Sequence, residues 1–122
     1  MMVAMKTIQL FGIPSCDSVK KARDWLTAQG VDCVFHDFKK QGVPADLLPG
    51  WLNAIGHETL INRKGPTWRK LGPEMHATVV DDASATAVML AHSSVIKRPV
   101  VVWADGRVTV GFKPEWFAER LL

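Results

Sequence analysis

The chain has 122 residues, about one domain's worth, and its 48% hydrophobic and 22% charged content excludes a disordered polymer. A net charge of +3, with basic residues scattered among acids, is not the footprint of a dedicated nucleic-acid binder. Cys16 and Cys33 are too few for a disulfide-built secreted scaffold, and no apolar run approaches the ~20 residues that span a bilayer.

A cytoplasmic protein is therefore expected, one domain over 1–122. The opening residues carry their positive charge after the apolar ones, the reverse of a signal peptide. Met5 is a candidate start, with Met1–Ala4 a loose tail. Thr7 to Phe11 reads as a strand ended by Gly12 and Pro14. From Cys16 the period changes to that of a helix, with Val19, Ala22 and Leu26 on one face and Gly30 as the stop. Asp32 to Phe38 reads as a second strand. Strand, helix and strand within about thirty residues form a right-handed parallel βαβ unit.

A helical insert is expected at about 43–93. Pro44 to Ile55 has helical spacing, with a kink or late start at Pro49. Short segments follow around His57–Asn62 and Glu74–Val80, and Asp81 or Asp82 caps an Ala-rich helix to about His92. Arg98-Pro99 precedes the strand Val100–Trp103, Asp105-Gly106 makes a hairpin turn, and Arg107–Gly111 returns. Pro114 begins a terminal helix with Phe117 and Leu121 inward. The order βαβ, helical insert, ββα is that of an α/β thioredoxin-like fold with a mixed four-stranded sheet. In that fold the proline before the third strand is commonly cis, and Pro99 is placed for it.

Cys16 stands where the first helix begins. Free amide N–H groups and the helix dipole favour an anion there, and can lower a thiol pKa from about 8.5 into the range 3.5–7.5. Lys20, one turn on, adds positive charge, while Asp17 opposes it. A lone cysteine also serves as a small buried hydrophobe. Cys33 begins the second strand, so parallel pairing puts it about 17–20 Å from Cys16, beyond the ~7 Å reach of a disulfide. It reads as a packed strand residue. Val19 occupies the C-x-x-C position, so a redox-active Cys16 needs a resolving thiol from outside.

Phe11–Ala22, LINRKGPTWRKL at 60–71, DDASATAVML at 81–90 and IKRPVVV at 96–102 together resemble the arsenate reductase (ArsC)/Spx family, most closely its YffB-like branch. The resemblance implies that Cys16 is the catalytic nucleophile and that Arg63 and Arg98 bind an anion. Pro99 is then the structural proline of the site, and Lys20 supports the anion. A planar guanidinium suits a carboxylate or tetrahedral oxyanion. The implied function is a glutathione-dependent thiol oxidoreductase acting on a small anionic or disulfide substrate. Glutathione is the co-substrate, or glutaredoxin the resolving partner, with no metal or bound cofactor. The chain departs from arsenate reductases in two places. Gly12 replaces their histidine four residues before the cysteine, and their third arginine falls around Gly111–Phe112, where only Lys113 could substitute.

Two other functions compete. A Spx-like regulator would dock on RNA polymerase, without direct nucleic-acid contact and without the C-x-x-C switch that Val19 removes. A true arsenate reductase is the narrower alternative. Thr67-Trp68-Arg69-Lys70 reads as packing by Trp68 or as lining for a peptide-like ligand, and Lys20-Lys21-Arg23 as a solvated helix face. Cys33 and His36 lie on opposite strand faces, and His36, His57, His76 and His92 show no spacing suited to a metal.

Overall fold

The computed structural model describes residues 7–121; the expected loose tail at Met1–Ala4 and the alternative start at Met5 lie outside them. These residues fall into two compact units. One comprises the chain up to Phe38 and from Arg98 onward, the other Lys39–Lys97.

In the first unit, β1 (Ile8–Gly12) leads into α1 (Asp17–Ala28) and back through β2 (Cys33–Asp37). β1 and β2 are parallel, in register from Ile8↔Cys33 to Gly12↔Asp37. β3 (Val100–Val102) pairs antiparallel with β1, and β4 (Val108–Val110) antiparallel with β3, giving the order β2-β1-β3-β4. This is the mixed four-stranded thioredoxin-like sheet that the element order predicts. Val19, Ala22 and Leu26 of α1 are each fully buried, as their i, i+3, i+7 spacing requires. They meet Ile8, Leu10 and Val101 from the sheet, Trp103 just after β3, and Phe117 from α7 (Pro114–Arg120). Pro114 occupies the first turn of α7, where its missing N–H is no loss. Leu121, expected to point inward, is 37% exposed. It stands at the C-cap of α7, beyond the core cluster that ends with Phe117.

The second unit is helical. α2 (Phe38–Gln41) runs into it, followed by α3 (Leu48–Ile55), α4 (His57–Leu60), α5 (Pro66–Thr78) and α6 (Asp82–Ala91). Pro49 produces the late start: residues 45–47 form turns, and the proline sits in the first turn of α3. The short segment expected at Glu74–Val80 is the part of α5 that follows the kink at Gly72 and runs to Thr78; the part before it is not expected from the sequence. Pro66 starts that helix, and Gly72-Pro73 interrupts it, Gly72 at φ +80°, where a side chain would be strained. The segment 67–70 is therefore helical, a signal that glycine and proline obscure in the sequence. Asp81 caps α6 with a reciprocal box: Ser84 N–H donates to the Asp81 carboxylate, and Asp81 N–H donates to Ser84 Oγ. An antiparallel bridge, Ile61↔Ile96, closes the unit, with Asn62 N–H on Val95 O at 2.7 Å and Lys97 N–H on Leu60 O at 2.8 Å. Among the described residues, no helix is long and apolar enough to cross a membrane.

Candidate functional site

The sheet brings several expected site residues to one of its ends. β1 ends at Gly12, and the turn after it closes when Cys16 N–H donates to Ile13 O at 3.0 Å. Cys16 is the N-cap of α1, extended at φ −75° and ψ 128°, and its carbonyl accepts the first helical hydrogen bond from Lys20 N–H at 3.0 Å. The sequence places it in the first turn; the structure sets it one position earlier. Its Sγ makes no capping hydrogen bond. The N–H groups of Asp17, Ser18 and Val19 thus have no intrahelical acceptor, and the positive end of the helix dipole lies at this residue. Cys16 is half-buried against the core cluster.

Phe11 pairs with Val100, so continuing the antiparallel register sets Gly12 across from Pro99 and Ile13 across from Arg98. Cys16, Arg98 and Pro99 therefore share the sheet end where β1 leaves and β3 enters. The Arg98-Pro99 peptide is cis, Pro99 is buried, and its carbonyl accepts from Gly111 N–H at 2.9 Å. Arg98 is half-exposed. Lys20 is exposed, four residues beyond Cys16 and so on the same side of α1. Arg23, grouped with Lys20 and Lys21 as a solvated face, lies over the Phe35 ring at 4.1 Å.

The structure explains both departures from the arsenate reductases. A Cβ on Gly12 would stand 2.6 Å from Val19 Cγ2, and Val19 has no exposed surface into which to move. Position 12 takes no side chain while Val19 holds its place. Gly12→Ala is accordingly expected to destabilise the protein by about 1–3 kcal/mol, measured by denaturant unfolding. Adding Val19→Ala should recover part of that loss, and strictly additive losses would contradict the packing argument. At the other departure, around Gly111–Phe112, Gly111 has φ +81°, a conformation that disfavours arginine, and Phe112 packs edge-on to Phe117 at 4.7 Å. The nearby Lys113 ammonium is over the Trp116 ring at 4.9 Å.

Cys33 pairs with Ile8 at the start of β1, the opposite end from Cys16, and both thiols are free. Burial pushes the Cys33 thiol up; Arg23 opposes this and Asp32 adds to it. The folded chain thus holds this proton to higher pH than the unfolded chain does. Its stabilisation is complete below the thiol's ordinary value and disappears as pH rises through the folded one. Thermal unfolding from pH 8 to about pH 11 should therefore show a steeper loss of stability in the wild type than in Cys33→Ala. Parallel profiles would exclude the effect.

Arg63 belongs to the second unit, in the loop between α4 and α5. Its Nη2 lies 3.2 Å from His57 Nδ1, and its guanidinium carbon 4.8 Å from the Trp68 ring centroid. Trp68 is 5% exposed, which decides for packing over ligand lining. Its other ring contact is the stacked His76, at 4.2 Å, whose Nε2 is 2.6 Å from Trp68 O. Sequence reasoning missed the His57 contact. Six residues separate it from Arg63 across a helix end, a spacing that no periodic pattern marks.

A thioredoxin-like domain with a half-buried cysteine at the head of its first helix is a thiol-redox protein of the arsenate-reductase type. The chain belongs to the ArsC family, whose model matches residues 11–120. Its fold is similar to that of the YffB protein PA3664, at 44% identity and a TM-score of 0.87, covering 95% of this chain and all of that one. An arsenate reductase (ArsC) related protein from Brucella melitensis is 42% identical, with a TM-score of 0.74 and 97% of each chain covered. A Haemophilus influenzae protein is 31% identical over 105 residues, 86% of this chain and 90% of that protein. The global transcriptional regulator Spx of Streptococcus pyogenes is 26% identical over 110 residues, 88% of this chain and 80% of that one.

Proposed function

We propose that the protein is a glutathione-dependent thiol reductase in which Cys16 is the nucleophile. The observation that carries this reading is the placement of one cysteine: Cys16 caps α1 with its sulfur uncommitted, at the sheet end that also holds Arg98 and Pro99. The other cysteine begins β2, beside the far end of β1. The Cys16 thiolate attacks one sulfur of a substrate disulfide, forming a mixed disulfide and releasing the other half as a thiolate. Glutathione thiolate then attacks the sulfur of the bound substrate half, forming a glutathione–substrate disulfide and returning Cys16 as thiolate. A second glutathione reduces that product, so two glutathiones leave as glutathione disulfide and the substrate as two thiols. Arg98 and Lys20 supply positive charge for the anionic groups of glutathione or substrate. Arg63 is a further anion-binding residue by its motif position.

The test is incubation with glutathione disulfide, followed by intact and peptide mass spectrometry. One glutathione adduct on Cys16 and none on Cys33 is expected. An adduct confined to Cys33, or none at all, would sink the reading.

The similarity to Spx supports a second reading, a module that docks on RNA polymerase without a redox switch, because Val19 stands where a second thiol is needed. Recovery of polymerase subunits by the tagged protein, with no thiol activity, would favour it. Arsenate reduction is disfavoured by the Gly12–Val19 packing and by the backbone at Gly111. Arsenate-dependent consumption of reducing equivalents, with glutathione and glutaredoxin supplied, measures it directly.

A further inference from the structure

We infer that His57 is a positioning residue, holding the Arg63 guanidinium ready for a carboxylate or tetrahedral oxyanion and releasing it when the imidazole gains a proton. The inference rests on the reading of Arg63 as an anion-binding group. His57 opens α4, and its Nδ1 lies 3.2 Å from Arg63 Nη2. A guanidinium has donors only, so the contact is a hydrogen bond only if Nδ1 is the unprotonated nitrogen. His57 is then neutral, with its proton on Nε2.

Arg63 is held a second time, over the face of the buried Trp68. Two fixed contacts restrict a side chain that otherwise loses much rotamer freedom on binding, while its remaining N–H donors stay available to a ligand. This is preorganisation by two neighbours, neither of which need touch the anion.

Protonation reverses the arrangement. Nδ1 becomes a donor, the hydrogen bond is lost, and two cations face each other at hydrogen-bond distance. Asp81, the N-cap of α6, is held below the usual carboxylate range by the Ser84 backbone and hydroxyl hydrogen bonds. Glu58 follows His57 on α4, and α3, packed against α4, carries no titratable side chain. On α5, His76 is stacked on Trp68, the ring over which Arg63 also lies. Protonation therefore breaks the His57–Arg63 hydrogen bond and leaves the guanidinium held by Trp68 alone.

Glutathione is the probe, because both its carboxylates stay ionised through the histidine range, about pH 5–8. Affinity measured by calorimetry across that range should fall roughly three- to tenfold in the wild type as pH drops, the effect of losing one ordinary hydrogen bond. His57→Asn, whose carbonyl still accepts but does not titrate, should keep the neutral-pH affinity and flatten the profile. His57→Ala should bind weakly at every pH. In parallel, the ¹⁵N signal of Arg63 Nε should move with the His57 ring signals in the wild type and stay fixed in His57→Asn. An Arg63 signal indifferent to pH would overturn the positioning role, whatever glutathione does. A signal that titrates, with Arg63→Ala binding glutathione as well as the wild type, would refute the anion-binding reading and with it the ligand half of this inference.

Discussion

Cys16→Ser is expected to lower glutathione-dependent turnover by on the order of 10³ or more, with an unchanged circular dichroism spectrum and unfolding midpoint. The size follows from the chemistry: a serine hydroxyl is not ionised at neutral pH and cannot form a disulfide, so the covalent step is lost rather than slowed. The fold is spared because Cys16 is an N-cap whose side chain makes no capping hydrogen bond. Serine is a better capping residue, so α1 should be held at least as well as before. Cys33→Ser, at the other end of the strands, should leave turnover within about twofold of the wild type, since it is remote from the nucleophile. Equal losses in the two variants would contradict the assignment of Cys16, as would full activity in Cys16→Ser.

Phe117→Ala is expected to destabilise the protein by about 3–5 kcal/mol, the range for truncating a buried aromatic ring. Phe117 is 1% exposed and is the hub of three edge-to-face contacts, at 5.8 Å to Trp25, 4.9 Å to Trp103 and 4.7 Å to Phe112. Each such pair contributes about 0.5–1.5 kcal/mol beyond burial alone. Those partners come from α1, from the hairpin side of the sheet and from the approach to α7, so one ring joins three parts of the first unit. Phe117→Leu should lose less, because it retains volume while giving up the ring geometry. Urea unfolding monitored by tryptophan fluorescence reads both variants. A loss below about 1 kcal/mol for Phe117→Ala would show that the cluster closes over the gap.

Much of the fold was legible because local rules and tertiary packing agree. The apolar stripe Val19, Ala22, Leu26 predicts a helix face, and that face is fully buried. Asp81 or Asp82 before an Ala-rich run predicts a cap, and the capping box forms at Asp81. Pro49 predicts a kink or a late start, and the late start is found, α3 beginning one residue before it. Reading failed where two signals compete. The backbone does break at Gly72, and the short segment after it was expected, but the helical turns from Pro66 to that break went unseen. Leu121 continues the apolar pattern of Phe117, yet the helix ends before it and it remains exposed.

By itself the sequence determined the order of the elements, the faces they bury and the position of a lone thiol where a helix begins, since each depends on neighbours a few residues apart. Only the tertiary structure decided that Gly12 and Val19 exclude a side chain between them, that Lys113 lies over Trp116 and that His57 takes hold of Arg63. Those contacts depend on where side chains end in space, at distances of a few ångströms. Periodicity and propensity specify backbone and face, and leave such ends unassigned.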